Sequence, residues 1–302
     1  MQWGNALKFL SRVSVYPQYL KKGGLIVFWL LKDWICSPKL RIHFSTSHWE
    51  DSIRRYLRWT KHEIVFDDLK RIDSQSVDLV VPLGMADMEF VAQNRDEFGN
   101  YLLPIPNQET IGLLNDKGKF SDWLLNSKYK KHALQEKRDL PFFLKPVTGA
   151  WGEGCHAVTS QADFDKHKQL IQSDDFICQE LVYGDTEYAT HFMLNNGEVL
   201  NHLCIEYRFD SDTPVKGVGN IVSKVIARDK FLPEWKSMLL DIKYSGICCL
   251  NYKVSDGVPK LMEINPRFGG SLAEFFFSFI YAISRHAKSK NANHGDTSEH
   301  VL

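Results

Sequence analysis

Apolar and polar positions alternate along this chain with two periods, and the switch between them divides it into elements. Residues 24–35, GLIVFWLLKDWI, are the most apolar N-terminal run, broken by Lys32 and Asp33. That run is far short of the ~20 residues a spanning helix needs. It is expected to be a packed helix, with association at a membrane surface as the alternative. KLRIHFS (39–45), HEIVFDD (62–68), VDLVVPLG (77–84) and YLLPIP (101–106) predict strands. Helices are expected over 47–59 and 85–99, the first with Ser47 as N-cap and Glu50 as its capping-box partner, the second stopped by Gly99. Strands alternating with helices predict a small parallel sheet.

A helix, a break near Gly118 and a second helix are expected over 107–126. PFFLKPVTGAWGEGCHAVTS (141–160) predicts strand, glycine-rich loop, strand, and Ser160 with Asp163 predicts a capped helix. FICQELVYGDTEYATHFML (176–194) predicts two strands about a turn at Gly184, and 197–209 continues a sheet. Residues 233–246 predict an amphipathic helix ended by Gly246, and 247–265 a hairpin turning at Asp256-Gly257. The tail, 288–302, is polar and expected to be disordered.

The chemistry concentrates in three stretches. In the hairpin, a three-residue loop (Asp256 to Val258) would pair Ser255 with Pro259, set Asn251 opposite Glu263 and Cys249 opposite Asn265, and place Cys248, Leu250, Tyr252, Met262 and Ile264 against a core. A two-residue loop would set Asn251 opposite Met262 and break the polar face. Residues two apart in a strand share a face, so Glu263 and Asn265 would present side by side the oxygen ligands that Mg²⁺ takes together with phosphates. In FFLKPVTGAWGEG, Lys145 ends an apolar strand, and Gly149, Gly152 and Gly154 would let backbone N–H groups approach a polyphosphate. Trp151 and Glu153 between them suggest a mobile flap. In CQELVYGDTEY, Glu180 and Glu187 could accept from an adenine amino group and from ribose hydroxyls. A glycine-rich hairpin tip and two solvated turn acids are the plain structural alternatives for the last two.

Composition narrows the classes. The 302 residues suit two or three small domains. Lys+Arg and Asp+Glu number 37 each, so nothing in the overall charge balance points to nucleic acid or an anionic membrane as the main partner. The six cysteines, Cys36, Cys155, Cys178, Cys204, Cys248 and Cys249, show neither CxxC pairing nor zinc spacing. They predict mostly buried thiols in a reduced, cytoplasmic protein. His156, His191 and His202 are candidate substrate contacts, though ordinary strand or loop histidines are the expected reading of each.

Lys117 in LNDKGKF, Lys145 with its glycine loop, QELVYGDTEY and EINPRFGGS follow one another with an order and spacing that resemble the ATP-grasp superfamily, over about residues 78–272. D-alanine–D-alanine ligase, biotin carboxylase and carbamoyl phosphate synthetase belong to it. The resemblance implies a mixed α/β and α+β fold: a parallel-sheet front domain and two α+β subdomains gripping a nucleotide. The implied boundaries are a helical extension to 38, a front domain over 39–106, a helical connection over 107–140, a lid over 141–182 and a catalytic subdomain over 183–287.

It further implies ATP, with one or two Mg²⁺ ions or Mn²⁺ in their place. Lys117 and Lys145 would contact phosphates and loop 148–154, with Gly149, Gly152 and Gly154, would close over them. Glu180 and the backbone near Leu181 and Val182 would hold adenine, and Glu187 the ribose. Glu263, Asn265 and Asn251 would form the metal site, and Arg267 with Lys145 would act on the reacting phosphoryl group. Asn251 departs from the acid frequent at its position, which puts two-metal occupancy in doubt. The implied chemistry is amide-bond formation through an acylphosphate, joining a small-molecule carboxylate to an amine such as an amino acid. A homodimer is an expected assembly. The alternatives are a nucleotide-binding regulator without turnover and a carboxylase or carbamoyl-forming enzyme.

Overall fold

The computed structural model describes residues 17–72, 77–98, 104–149 and 152–295. Two compact units are present, one made of Met1–Pro104 with Gly269–Leu302, the other of Ile105–Phe268.

The first unit is built on a three-stranded parallel sheet. Strands β1 (Arg41–Ser45), β2 (Glu63–Asp67) and β3 (Leu79–Val81) lie in the order β2-β1-β3. All three residues of β3 are buried, as a strand covered on both faces requires. Around the sheet are helices α1 (Pro17–Cys36), α2 (Glu50–Leu57), α3 (Met85–Gln93) and α4 (Arg95–Phe98). Helix α2 starts later than its capping signal: Ser47 Oγ accepts from Trp49 N at 3.3 Å, forming a local turn, and the N-cap is Trp49 without a side-chain bond. The expected capping box is therefore not formed. The strand expected over 101–106 begins outside the described residues, as does Gly99, and 104–106 are irregular. The C-terminal helix α9 (Phe276–Gly295) runs into the tail expected to be disordered, because Phe276, Phe277, Phe279, Ile280 and Ile283 are buried and anchor its first turns.

The second unit holds two antiparallel sheets. After α5 (Gln108–Asn115) and α6 (Lys117–Leu125), the small sheet contains β4 (Phe142–Pro146), β5 (His156–Val158) and β6 (Phe176–Glu180) in the order β5-β4-β6. The α5–α6 break expected near Gly118 falls at Asp116, which caps α6 by accepting from Lys119 N at 2.9 Å. Helix α7 (Gln161–Ile171) carries the expected capping box of Ser160 and Asp163. Phe142, Leu144, Val158, Cys178 and Ile171 form this sheet's core.

The large sheet comprises β7 (Thr186–Asn195), β8 (Glu198–Phe209), β9 (Ile221–Ala227), β10 (Gly246–Ser255) and β11 (Val258–Asn265), in the order β11-β10-β7-β8-β9. Its apolar face sends Phe192, Leu194, Cys248, Leu250, Tyr252, Leu261 and Ile264 against Phe120 and Leu124 of α6 and Trp235, Met238 and Leu239 of α8 (Leu232–Asp241). Helix α8 ends before Gly246: Lys243 takes φ +53° and Tyr244 N returns to the Leu239 carbonyl at 2.8 Å. Strand β9 has no counterpart in the sequence reading.

The β10–β11 hairpin corrects one expectation and keeps its consequence. Asp256 and Gly257 sit at φ +50° and +76°, the mirror-image turn that suits twisted strands, so the loop has two residues and Ser255 pairs with Val258. The surplus residue is Met262, where the register shifts, so Tyr252 pairs with Leu261 while Asn251 pairs with Glu263 and Cys249 with Asn265. Leu261, not Met262, therefore joins the core. A β-bulge has done what a longer loop was expected to do.

Candidate active site

Glu263 and Asn265 lie on the polar face of β11 because Leu261 and Ile264 are drawn to the core on the other side. Pro266 then ends the strand, having no N–H for the ladder. Asn251 Nδ2 donates to Glu263 Oε1 at 2.8 Å, and Asn265 Nδ2 donates to the same oxygen at 2.7 Å. Glu263 Oε2 faces Lys117 Nζ at 3.7 Å. Burial would raise the Glu263 pKa, but Lys117, the Asn265 amide and Lys145 together hold it below the usual carboxylate value.

Lys145 follows Leu144, which points into the small core, so its own side chain leaves by the opposite face. Its Nζ donates to the carbonyl of Met262 at 2.8 Å. That carbonyl belongs to the bulged residue, which lies outside the regular ladder pairing. Lys145 is 5% exposed, and burial lowers its pKa from 10.5 to about 8 despite the attraction of Glu263. Lys117 is also buried and donates to the Gly149 carbonyl at 3.0 Å, tying α6 to the glycine loop.

Lys216 is the residue the sequence reading missed. It lies in the loop between β8 and β9, within TPVKGVGN, and the only signal was a lysine between turn-forming residues. Its Nζ donates to Asn251 Oδ1 at 2.7 Å and lies 3.3 Å from Glu187 Oε1. Burial opposes its charge, but Glu187, Cys249, Tyr207 and Glu263 together raise its pKa. Glu187 is buried as well, and desolvation raises its pKa in spite of Lys216. Asn251 thus links Lys216 to Glu263, with its oxygen committed to the lysine in this arrangement.

Arg267 is 8% exposed, and burial lowers its pKa against the pull of Glu263. Lys117, Lys145, Lys216 and Arg267 therefore meet Glu263 and Glu187, leaving an excess of positive charge suited to a polyanion. Glu180 stands apart from this group, accepting from Lys260 at 2.9 Å and from Gln135 N at 3.3 Å. Val182 and Gly184 offer their carbonyls to Lys253, at 3.0 and 2.8 Å, which fixes the connection between the two sheets. Leu181 lies in that connection, half-buried.

The glycine loop joins the site through Gly152; Ala150 and Trp151 lie outside the described residues. Gly152 has φ +70°, and a Cβ there would sit 2.4 Å from the Lys216 carbonyl and 2.6 Å from Val215 Cγ1. Neither the conformation nor the space admits a side chain. Gly152→Ala is expected to push the loop off Val215–Lys216. The melting temperature should drop by only a few degrees, the expectation for strain of about 1–2 kcal/mol.

Of the three histidines, His191 is buried on the polar face beside Cys249, 3.8 Å from Nε2 to Sγ, and burial holds its pKa down to about 3, so it is neutral. His202 pairs with Phe192 and so lies on the opposite face, and His156 stacks on His167 at 3.9 Å.

Among the described residues no cluster of three or more His, Cys, Asp or Glu side chains could hold a metal ion. Glu263 and Asn265 nonetheless form a fitting half-site: a carboxylate, and an amide that donates its N–H and leaves its oxygen for a cation. Mg²⁺ is commonly bound by one or two protein oxygens plus substrate phosphates.

No protein-family model and no curated protein matches the chain. Solved structures do. D-alanine–D-alanine ligase from Bacillus anthracis complexed with ATP aligns over 85% of this chain and 100% of that one, at 17% identity and TM-score 0.54. N5-carboxyaminoimidazole synthetase from Staphylococcus aureus complexed with ADP aligns over 82% and 79%, at 12% identity and TM-score 0.55. L-amino acid ligase from Bacillus licheniformis aligns over 80% and 70%, at 13% identity and TM-score 0.51. The fold of this chain is the ATP-grasp fold shared by these enzymes.

Proposed function

We propose that the chain is an ATP-dependent ligase that joins a small-molecule carboxylate to an amine through an acylphosphate, releasing ADP and phosphate. The observation that carries this reading is the convergence of Lys117, Lys145, Lys216 and Arg267 on the Asn251–Glu263–Asn265 face. Phosphoryl transfer needs positioning and charge neutralisation more than covalent chemistry from the protein, and these residues supply both.

Lys117 and Lys145 would hold phosphate oxygens, and Glu263 with Asn265 would hold Mg²⁺. When bound, that ion would neutralise charge on the phosphates being transferred. The substrate carboxylate oxygen attacks the γ-phosphorus and the bond to the β–γ bridging oxygen breaks, releasing ADP. The amine then attacks the acyl carbon, the bond from that carbon to the phosphate oxygen breaks, and the nitrogen gives up a proton to solvent as the amide forms and phosphate leaves. Arg267 would steady charge on the acylphosphate and on the tetrahedral oxyanion. The loop around Gly152, resting on Lys216, would keep water from the acylphosphate. Glu187, bonded to Lys216, and Glu180 would face the ribose and base, with the connection at Leu181 and Val182. The two ligases among the similar structures, for D-alanine and for L-amino acids, make amino acids the first amines to test.

The test is ADP release in a matrix of carboxylates against amines with Mg²⁺, using Glu263→Ala as the blank. Release that requires both substrates supports the ligase. Release that requires bicarbonate would instead support a carboxylating enzyme, and ATP binding without release under any pairing favours a nucleotide-binding regulator.

A further inference from the structure

Helix α1 turns an apolar stripe outward. Val27, Phe28, Leu31, Trp34 and Ile35 recur at helical spacing and each is more than half exposed, Ile35 at 80%. The helix cannot roll to bury them. On its other side Asp33 is fully buried, 3.0 Å from His62 Nε2, and His62 Nδ1 accepts from Leu40 N at 3.1 Å. Trp29 packs against Tyr281 of α9 with ring centroids 5.6 Å apart. Trp34 Nε1 donates to the Trp59 carbonyl at 3.1 Å, which extends the stripe to Trp59, itself 49% exposed and covered on one side by the Arg58 guanidinium at 4.8 Å.

Charge says what fits there. Residues 1–39 contain six cations, Lys8, Arg12, Lys21, Lys22, Lys32 and Lys39, and one acid, Asp33. That acid is the one buried against His62, so its charge is not presented at the surface. The chain as a whole balances 37 cations with 37 acids, so this stretch is locally basic in a neutral protein. Indole and aliphatic side chains on one helix face, in a segment rich in lysine and arginine, match the boundary between lipid phosphates and acyl chains. None of the helices among the described residues is long and apolar enough to cross a membrane, which leaves a helix lying in the surface plane.

We propose that the first unit docks on an anionic lipid bilayer through α1, with Leu31, Trp34 and Ile35 inserted and Trp59 at the edge. The full chain is mixed with vesicles of phosphatidylcholine alone or with phosphatidylglycerol added, and sedimented. Binding is expected only with the anionic lipid and is expected to weaken as salt rises. The double variant Leu31→Glu, Ile35→Glu changes exposed positions and should melt as wild type does, yet bind at least about tenfold less. Absence of binding to anionic vesicles, or equal binding by the double variant, overturns the proposal. So does a concentration-dependent dimer in ultracentrifugation that the double variant loses, since a second copy would then cover the stripe.

Discussion

Glu263→Gln is expected to lower ADP release at least about a hundredfold, the scale for losing one preorganised electrostatic group at a reacting centre. The change keeps the shape and removes the charge. Two amides, Asn251 and Asn265, now donate to one carboxylate oxygen, and Lys117 faces the other. On the proposed reading a neutral side chain there would offer Mg²⁺ a poorer ligand, and it would leave Lys117 and Lys145 repelling one another without their shared counterion. Glu263 raises the proton affinity of Lys145, so its loss should drive the Lys145 pKa below about 8. Rate and lysine titration must therefore move together. A full rate in Glu263→Gln, or an unchanged Lys145 pKa by lysine-selective labelling across pH, would remove Glu263 from the centre of the site.

Affinity for ATP should fall as pH rises through about 8, while the Lys145 contribution to folding stability moves the opposite way. Lys145 has a folded pKa of about 8 against 10.5 in its ordinary state. Below about pH 8 the lysine is charged in both folded and unfolded chains, and the cost of burying that charge is present in full. Between about 8 and 10.5 the unfolded chain holds the extra proton, so stability rises with pH, by about 3 kcal/mol across the window. The charge that phosphate needs is lost over the same range. Denaturant melts at several pH values test the stability arm, with Lys145→Met as the reference, because Lys253 and Arg267 also have lowered pKa values. The difference between wild type and Lys145→Met should grow with pH. A constant difference would mean that Lys145 titrates normally.

Much of this was legible because the relevant signals are local. Alternation placed Glu263 and Asn265 on one face, and Ser160 with Asp163 announced a helix that forms as written. What escaped depends on long-range geometry. Lys216 reaches Asn251, 35 residues away, from a loop whose sequence carries no periodicity. Strand β9 has weak burial along its length and exists because β8 offers it an edge. Ser47 and Glu50 satisfied a capping pattern, yet the chain spent the serine on a tighter turn just before the helix. The hairpin does carry one extra residue, but Asp256-Gly257 closes a two-residue turn, so the surplus lies within the strand rather than in the loop.

That surplus residue makes the hairpin tolerant of a change strands rarely accept. Removing one residue from a strand ordinarily inverts every side chain beyond it. Here, deleting Met262 would leave Leu261 opposite Tyr252 and Glu263 opposite Asn251, with the ladder made regular. The parity of the segment is thus insured against loss of this one position, and what the deletion takes away is the carbonyl that Lys145 holds. Substitutions at Met262 would keep that carbonyl whatever side chain they bring. Change at this point is therefore constrained in residue number by a backbone contact that no side chain supplies.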